Sequence, residues 1–174
     1  RYGERWLLEH LVEQADQRES LLRSLWVDSS QRLAVKVFAA AGLAAAAPHE
    51  QADLVDGLLT LLAHWTPDAP RIESLVWQGI ANLFEQLSSV QAARLIEQTM
   101  ILESLDDDLA YVIAQQLSTV SEPGCLRAVL ERFAPRREDS WLMKSALRAL
   151  REHPDAMPDG WLEAFIRHPD QPRE

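Results

Sequence analysis

Apolar residues recur along this chain at three- and four-residue steps, the spacing of one helical face, and no stretch alternates apolar with polar residues between turn signals as a strand would. The pattern predicts an all-α fold. A first amphipathic segment, residues 4–14, sets Leu7, Leu8, Leu11 and Val12 on one stripe. After the polar run from Asp16 to Ser20, the residues Leu21, Leu22, Leu25 and Trp26 continue as a second helix or a bent extension. Further helices are expected over residues 31–46, 51–65, 71–87, 90–102, 105–120, 125–133, 139–152 and 160–167. Prolines and small polar residues punctuate them: Pro48, the run Thr66-Pro67-Asp68-Ala69-Pro70, Ser88-Ser89, Ser121-Glu122-Pro123 and Ala134-Pro135. Asp28 or Ser29 is placed to cap the helix 31–46, and Ser89 to cap 90–102. Alanines on nearly every side of 31–46 predict that it is the most buried helix.

Four of these helices align. With Leu33, Leu75, Leu109 and Leu142 in register, Val37, Gly79, Ile113 and Ala146 fall four residues on, and Ala41, Leu83, Leu117 and Leu150 eight residues on. The copies begin near Arg32, Glu73, Asp107 and Ser140, roughly 33 to 42 residues apart, which is the period of a stacked array of helix pairs. In such an array each pair covers only its neighbours, so Leu33 and Leu142 are not expected to touch.

Short-break helix pairs whose second member opens on a polar or acidic residue, followed by Leu, a small or apolar residue and another apolar residue at four-residue steps, resemble the HEAT and armadillo repeat families. The resemblance spans about residues 28–166 and is degenerate. The basic residue common near the start of the second helix occurs only at Arg32 and Arg71, and the proline common in the first helix is missing. It implies a short α-solenoid of about four to five antiparallel helix pairs, with an irregular helical bundle as the alternative. Its second helices would line a concave face.

A length of 174 residues suits one domain, residues 1–174, able to bury a core without staples. Cys125 is the only cysteine, so no internal disulfide can form, and the cytoplasm is the expected compartment. No apolar run approaches the ~20 residues that span a bilayer. The chain opens Arg1-Tyr2-Gly3-Glu4, unlike an initiator or a secretion signal, which suggests a fragment of a longer protein. Alanine-rich, arginine-over-lysine usage points to a GC-rich bacterial source. Twenty-seven acidic against 17 basic residues give a net charge of −10, which argues against nucleic acid as a partner.

Candidate chemistry is sparse. Asp106-Asp107-Asp108 reads as a helix start favoured by the helix dipole, because no His or Cys pattern accompanies it to hold a metal. His153-Pro154-Asp155 and His168-Pro169-Asp170 match the tripeptide of J-domain co-chaperones, but each follows a helix and reads as repeat punctuation. The histidines show no paired zinc-ligand spacing, Cys125 reads as a small apolar residue, and no phosphate-cradling glycine motif or nucleophile elbow occurs. No cofactor is implied and no metal is expected.

What remains is a surface. Trp77 flanks the buried stripe of its helix, and Tyr111, at the same position two residues after the aligned leucine, points away from the core side. Lys144 takes that place in the fourth copy. The expected partner-binding strip is Trp77, Gln78, Asn82, Tyr111, Gln115, Lys144, Arg148 and Arg151, with packing against a neighbouring helix as the competing role for the two aromatics. The expected function is a non-catalytic module that binds another protein, or another region of the same protein, on its concave face. The alternatives are an acidic inhibitor of the immunity-protein kind, or an enzyme, since some HEAT-like proteins are DNA glycosylases and others bilin lyases.

Overall fold

In the computed structural model of the protein the described residues are 15–65, 74–120, 122–133, 147–148 and 150–160. Among them are seven α-helices and no strand. They are α1 (Ala15–Val27), α2 (Leu33–Ala46), α3 (Gln51–Ala63), α4 (Ser74–Gln86), α5 (Ser89–Met100), α6 (Asp107–Ala114) and α7 (Pro123–Phe133). Short 3-10 turns follow at Pro48–Glu50, Gln115–Thr119 and Pro154–Ala156, and residues 147–148 and 150–152 are helical. The all-α class expected from the periodicity is what the described residues adopt.

The boundaries shift where side chains compete for backbone groups. Asp28 does not cap α2; it closes the turn before it, accepting from the Ser30 hydroxyl at 2.7 Å, the Gln31 amide at 2.8 Å and the Ser30 N–H at 2.9 Å. Those bonds, the Ser30 hydroxyl first, hold its carboxyl down at about 2. The cap position of α2 is Arg32, with no side-chain hydrogen bond. Ser88, not Ser89, caps α5, its hydroxyl accepting from the Gln91 N–H. The helix expected over 105–120 is α-helical only from Asp107 to Ala114 and tightens into the 3-10 turn Gln115–Thr119. The helix α1 kinks at Arg18, whose φ of −129° and ψ of 17° are non-helical, within the polar run that precedes Leu21; the expected first helix, residues 4–14, lies outside the described residues.

The helix α2 sits at the centre. Eleven of its 14 residues are buried, as its alanines predict, and α1 and α4 make the most extensive packing against it. Small residues permit that approach: a Cβ on Gly42 would lie 2.8 Å from Leu22 Cδ1, and one on Gly79 of α4 would lie 3.1 Å from Phe38 Cδ2. The aligned columns land in the core. Leu33, Val37, Ala41, Leu83, Leu109, Ile113, Leu117 and Leu150 are all buried, as is Gly79, while Leu75 is half-buried; Leu142 and Ala146 lie outside the described residues.

Beyond chain neighbours, the helices from α2 onward pack on the second helix along: α2 on α4, α4 on α6, α3 on α5 and α5 on α7. An apolar seam lined by Leu33, Leu58, Ile80, Leu95 and Leu109 meets all five helices from α2 to α6. The core is therefore continuous across adjacent pairs.

Polar side chains clasp the helix ends. Gln51, at the start of α3, donates from Nε2 to the carbonyls of Ala44 at 3.1 Å and Gln86 at 2.8 Å, and its Oε1 accepts the Ser88 N–H at 2.9 Å. One amide thus joins the C-terminal ends of α2 and α4 to the start of α5, which requires α2 and α4 to end on the same edge. At the opposite edge, Ser104 donates to the Ala63 carbonyl at the end of α3. Arg132, in the last turn of α7, donates to the carbonyls of Met100, Leu102 and Leu105 at 3.0, 2.8 and 2.9 Å. Lys36 is buried and donates from Nζ to the Trp26 carbonyl at 2.7 Å, satisfying one of the open carbonyls at the end of α1.

Candidate functional site

The helix α4 buries Val76, Gly79, Ile80, Leu83 and Phe84. At ~100° per residue this leaves Trp77 at the edge of the buried stripe, and its side chain reaches the surface with 38 % exposure. On α6, Leu109, Ala110, Val112, Ile113 and Ala114 are buried, and Tyr111 is half-buried between them. The Trp77 and Tyr111 ring centroids are 6.2 Å apart at an interplanar angle of 59°. Tyr111 in turn meets Phe133 of α7 edge to face, at 6.4 Å and 85°. Both separations fall within the range in which aromatic rings attract through their quadrupoles. The two aromatics thus pack on neighbouring helices, and Trp77 remains exposed while doing so.

The polar residues expected around them are placed as follows. Gln78 Nε2 donates to Asn82 Oδ1 at 3.0 Å along α4, and both side chains are half-buried. Gln115 caps the C-terminal end of α6 and is half-buried. Arg148 and Arg151 are exposed on the helical stretch beyond α7. Lys144 lies outside the described residues. The structure therefore brings Trp77, Tyr111, Gln78 and Asn82 onto the adjoining helices α4 and α6.

Asp106 is the N-cap of α6, its Oδ1 accepting the N–H groups of Asp108 at 3.0 Å and Leu109 at 3.2 Å. Asp107 pairs with Arg132 at 3.3 Å, and Asp108 is exposed. The acidic run therefore starts a helix. Among the described residues no three His, Cys, Asp or Glu side chains are grouped to hold a metal ion. Arg132 is the residue that sequence reading passed over. It ties the α5–α6 connection and the start of α6 to α7. A basic residue in a last helical turn was the one local sign.

Cys125 is fully buried and donates from Sγ to the Ala93 carbonyl at 3.3 Å. Burial, with the Glu97 and Glu122 carboxylates adding to it, pushes its thiol up to about 12, so the thiolate that a nucleophile needs is disfavoured. His153-Pro154-Asp155 follows the helical residues 150–152 and opens the 3-10 turn Pro154–Ala156, with Arg127 of α7 donating to the Asp155 carbonyl at 3.0 Å. It ends a helix, as its residue types predict; the second tripeptide lies outside the described residues. No helix among the described residues is long and apolar enough to cross a membrane.

Compared with known family models, curated proteins and solved structures, the chain matches none of them.

Proposed function

We propose that the protein is a non-catalytic interaction module, a short array of antiparallel helix pairs whose α4–α6 face binds another protein or another region of a longer chain. The packing of the helices from α2 onward on the second one along supports the array, and so does the Gln51 clasp, which brings α2 and α4 to the same edge. The observation that carries the binding role is Trp77. A large aromatic side chain is left 38 % exposed next to a tyrosine from the following helix pair, with half-buried amides beside it. Tryptophan and tyrosine are the residues that most often dominate binding energy at interfaces, because they bury large area at small rotamer cost.

The test is affinity capture with the full-length protein and its Trp77→Ala variant, each shown by circular dichroism to melt alike. A partner held by the wild type is expected to be lost from the variant, through the loss of about 2 kcal/mol or more that truncating an interface anchor costs. Equal recovery of every partner by both proteins would remove this face from the account. Turnover of an alkylated base in duplex DNA would replace the reading with the glycosylase one.

A further inference from the structure

Cations are absent from the sequence of α4, of α6 and of the 3-10 turn that follows it; these segments carry no Lys, Arg or His. Their exposed ionisable side chains are Glu85, Asp107 and Asp108. The helix α7 packs near this face and sends in one cation, Arg132, which is engaged by Asp107 and three carbonyls. Several cations elsewhere are also held internally: Arg23 by Glu19 and Glu50, Arg94 by Asp56, and Lys36 by the Trp26 carbonyl. Arg148 and Arg151 are exposed, but on the helical stretch beyond α7. Among the described residues the α4–α6 face therefore presents the Trp77 ring and the exposed carboxylates of Glu85 and Asp108, on a protein whose net charge is −10.

We infer that this face takes a cationic protein segment, an arginine or lysine side chain of which stacks on the Trp77 ring while Glu85 and Asp108 supply the countercharge. The inference rests on the docking role proposed above and names the chemistry of its partner. An aromatic face attracts a cation through its quadrupole, and the carboxylates further along the same two helices pair with other cations of the segment and steer it over long range. The chain already uses the first of these contacts internally, where Lys36 Nζ lies 5.7 Å from the centroid of the Trp26 ring.

The experiment titrates the whole protein with a fluorescent arginine–serine repeat peptide and with its glutamine–serine counterpart, following anisotropy at low and moderate salt. The arginine peptide is expected to bind more tightly than the glutamine one. The pair Glu85→Gln and Asp108→Asn should weaken it about tenfold, as should Trp77→Leu, whereas Asp53→Asn on α3 should change it less than about twofold. These carboxylates are exposed, so the charge variants test the idea without threatening the fold. If Asp53→Asn weakens binding as much as the face variants do, attraction is to overall charge and the inference falls. If both peptides bind equally and both are lost with Trp77→Leu, docking at the face survives and its cationic character does not. If the arginine peptide does not bind, the inference falls, and the Trp77→Ala capture comparison decides the docking role separately.

Discussion

Gln51 is 7 % exposed, and its amide makes three hydrogen bonds to backbone groups of three other helix ends. Deleting one partner of a buried hydrogen bond costs more than the bond contributes, because the other partner keeps its desolvation penalty. Gln51→Ala strands the Ala44 and Gln86 carbonyls and the Ser88 N–H, so the unfolding free energy is expected to drop by about 2 kcal/mol, read from the urea midpoint at unchanged slope. In the sequence Gln51 is one more polar residue at a helix start. Its partners lie 7, 35 and 37 positions away, a distance over which periodicity carries no information. Lys36 and Arg132 were opaque for the same reason: a long polar side chain that reaches a distant carbonyl has the local pattern of one that reaches water. Trp77 is different. Its offset from the buried stripe of α4 follows from helical geometry, so its place on the edge was legible, whereas its ring contact with Tyr111 was not.

The helix α2 shows how far element-level reasoning extends. Alanines on every side predict a helix surrounded by others, since an alanine surface lets neighbouring backbones approach closely and hides no polar group. Phe38 is the largest side chain in that helix and is 0 % exposed, with the Gly79 backbone against its ring. Phe38→Ala removes the group that α4 closes on, so it is expected to cost about 3–5 kcal/mol, the range for truncating a buried phenylalanine, in chemical denaturation. Helix ends were less legible than helix interiors. Asp28, Ser29 and Ser89 all have the right chemistry for a cap, yet the chain uses Ser88 at α5 and no side chain at α2. A cap depends on which residue adopts extended backbone at the junction, and there Gln51 has already engaged the Ser88 N–H.

At the scale of the molecule, the proposed array makes stability a sum over neighbouring pairs, so its ends should open before its centre. Arg132 tests this. It connects α7 to the α5–α6 connection through four hydrogen bonds, three of them to carbonyls. Arg132→Ala is expected to cost about 2–3 kcal/mol, because charged donors are removed from three carbonyls, of which Leu102 keeps only its bond from the Leu105 N–H. Amides of α7 should then exchange faster in native-state hydrogen exchange while those of α2 keep their protection. Equal acceleration in α2 and α7 would instead describe one cooperative bundle with no separable end. Of the described positions in the aligned columns, all but the half-buried Leu75 are buried. The columns did not specify that Leu33, Leu58, Ile80, Leu95 and Leu109 meet on one seam, because a register along the chain does not determine how neighbouring pairs tilt together.

The sequence by itself determined the helical class and, among the described residues, the order of the helices, their buried stripes and the offset of Trp77 from that of α4. All of these follow from the 3.6-residue turn and from which residues avoid water. Only the tertiary structure decided which helix ends meet, which polar side chains clasp them and that Trp77 comes to rest against Tyr111. Those contacts join residues far apart in the chain, and their energy depends on distances and burial that exist only once the helices have packed.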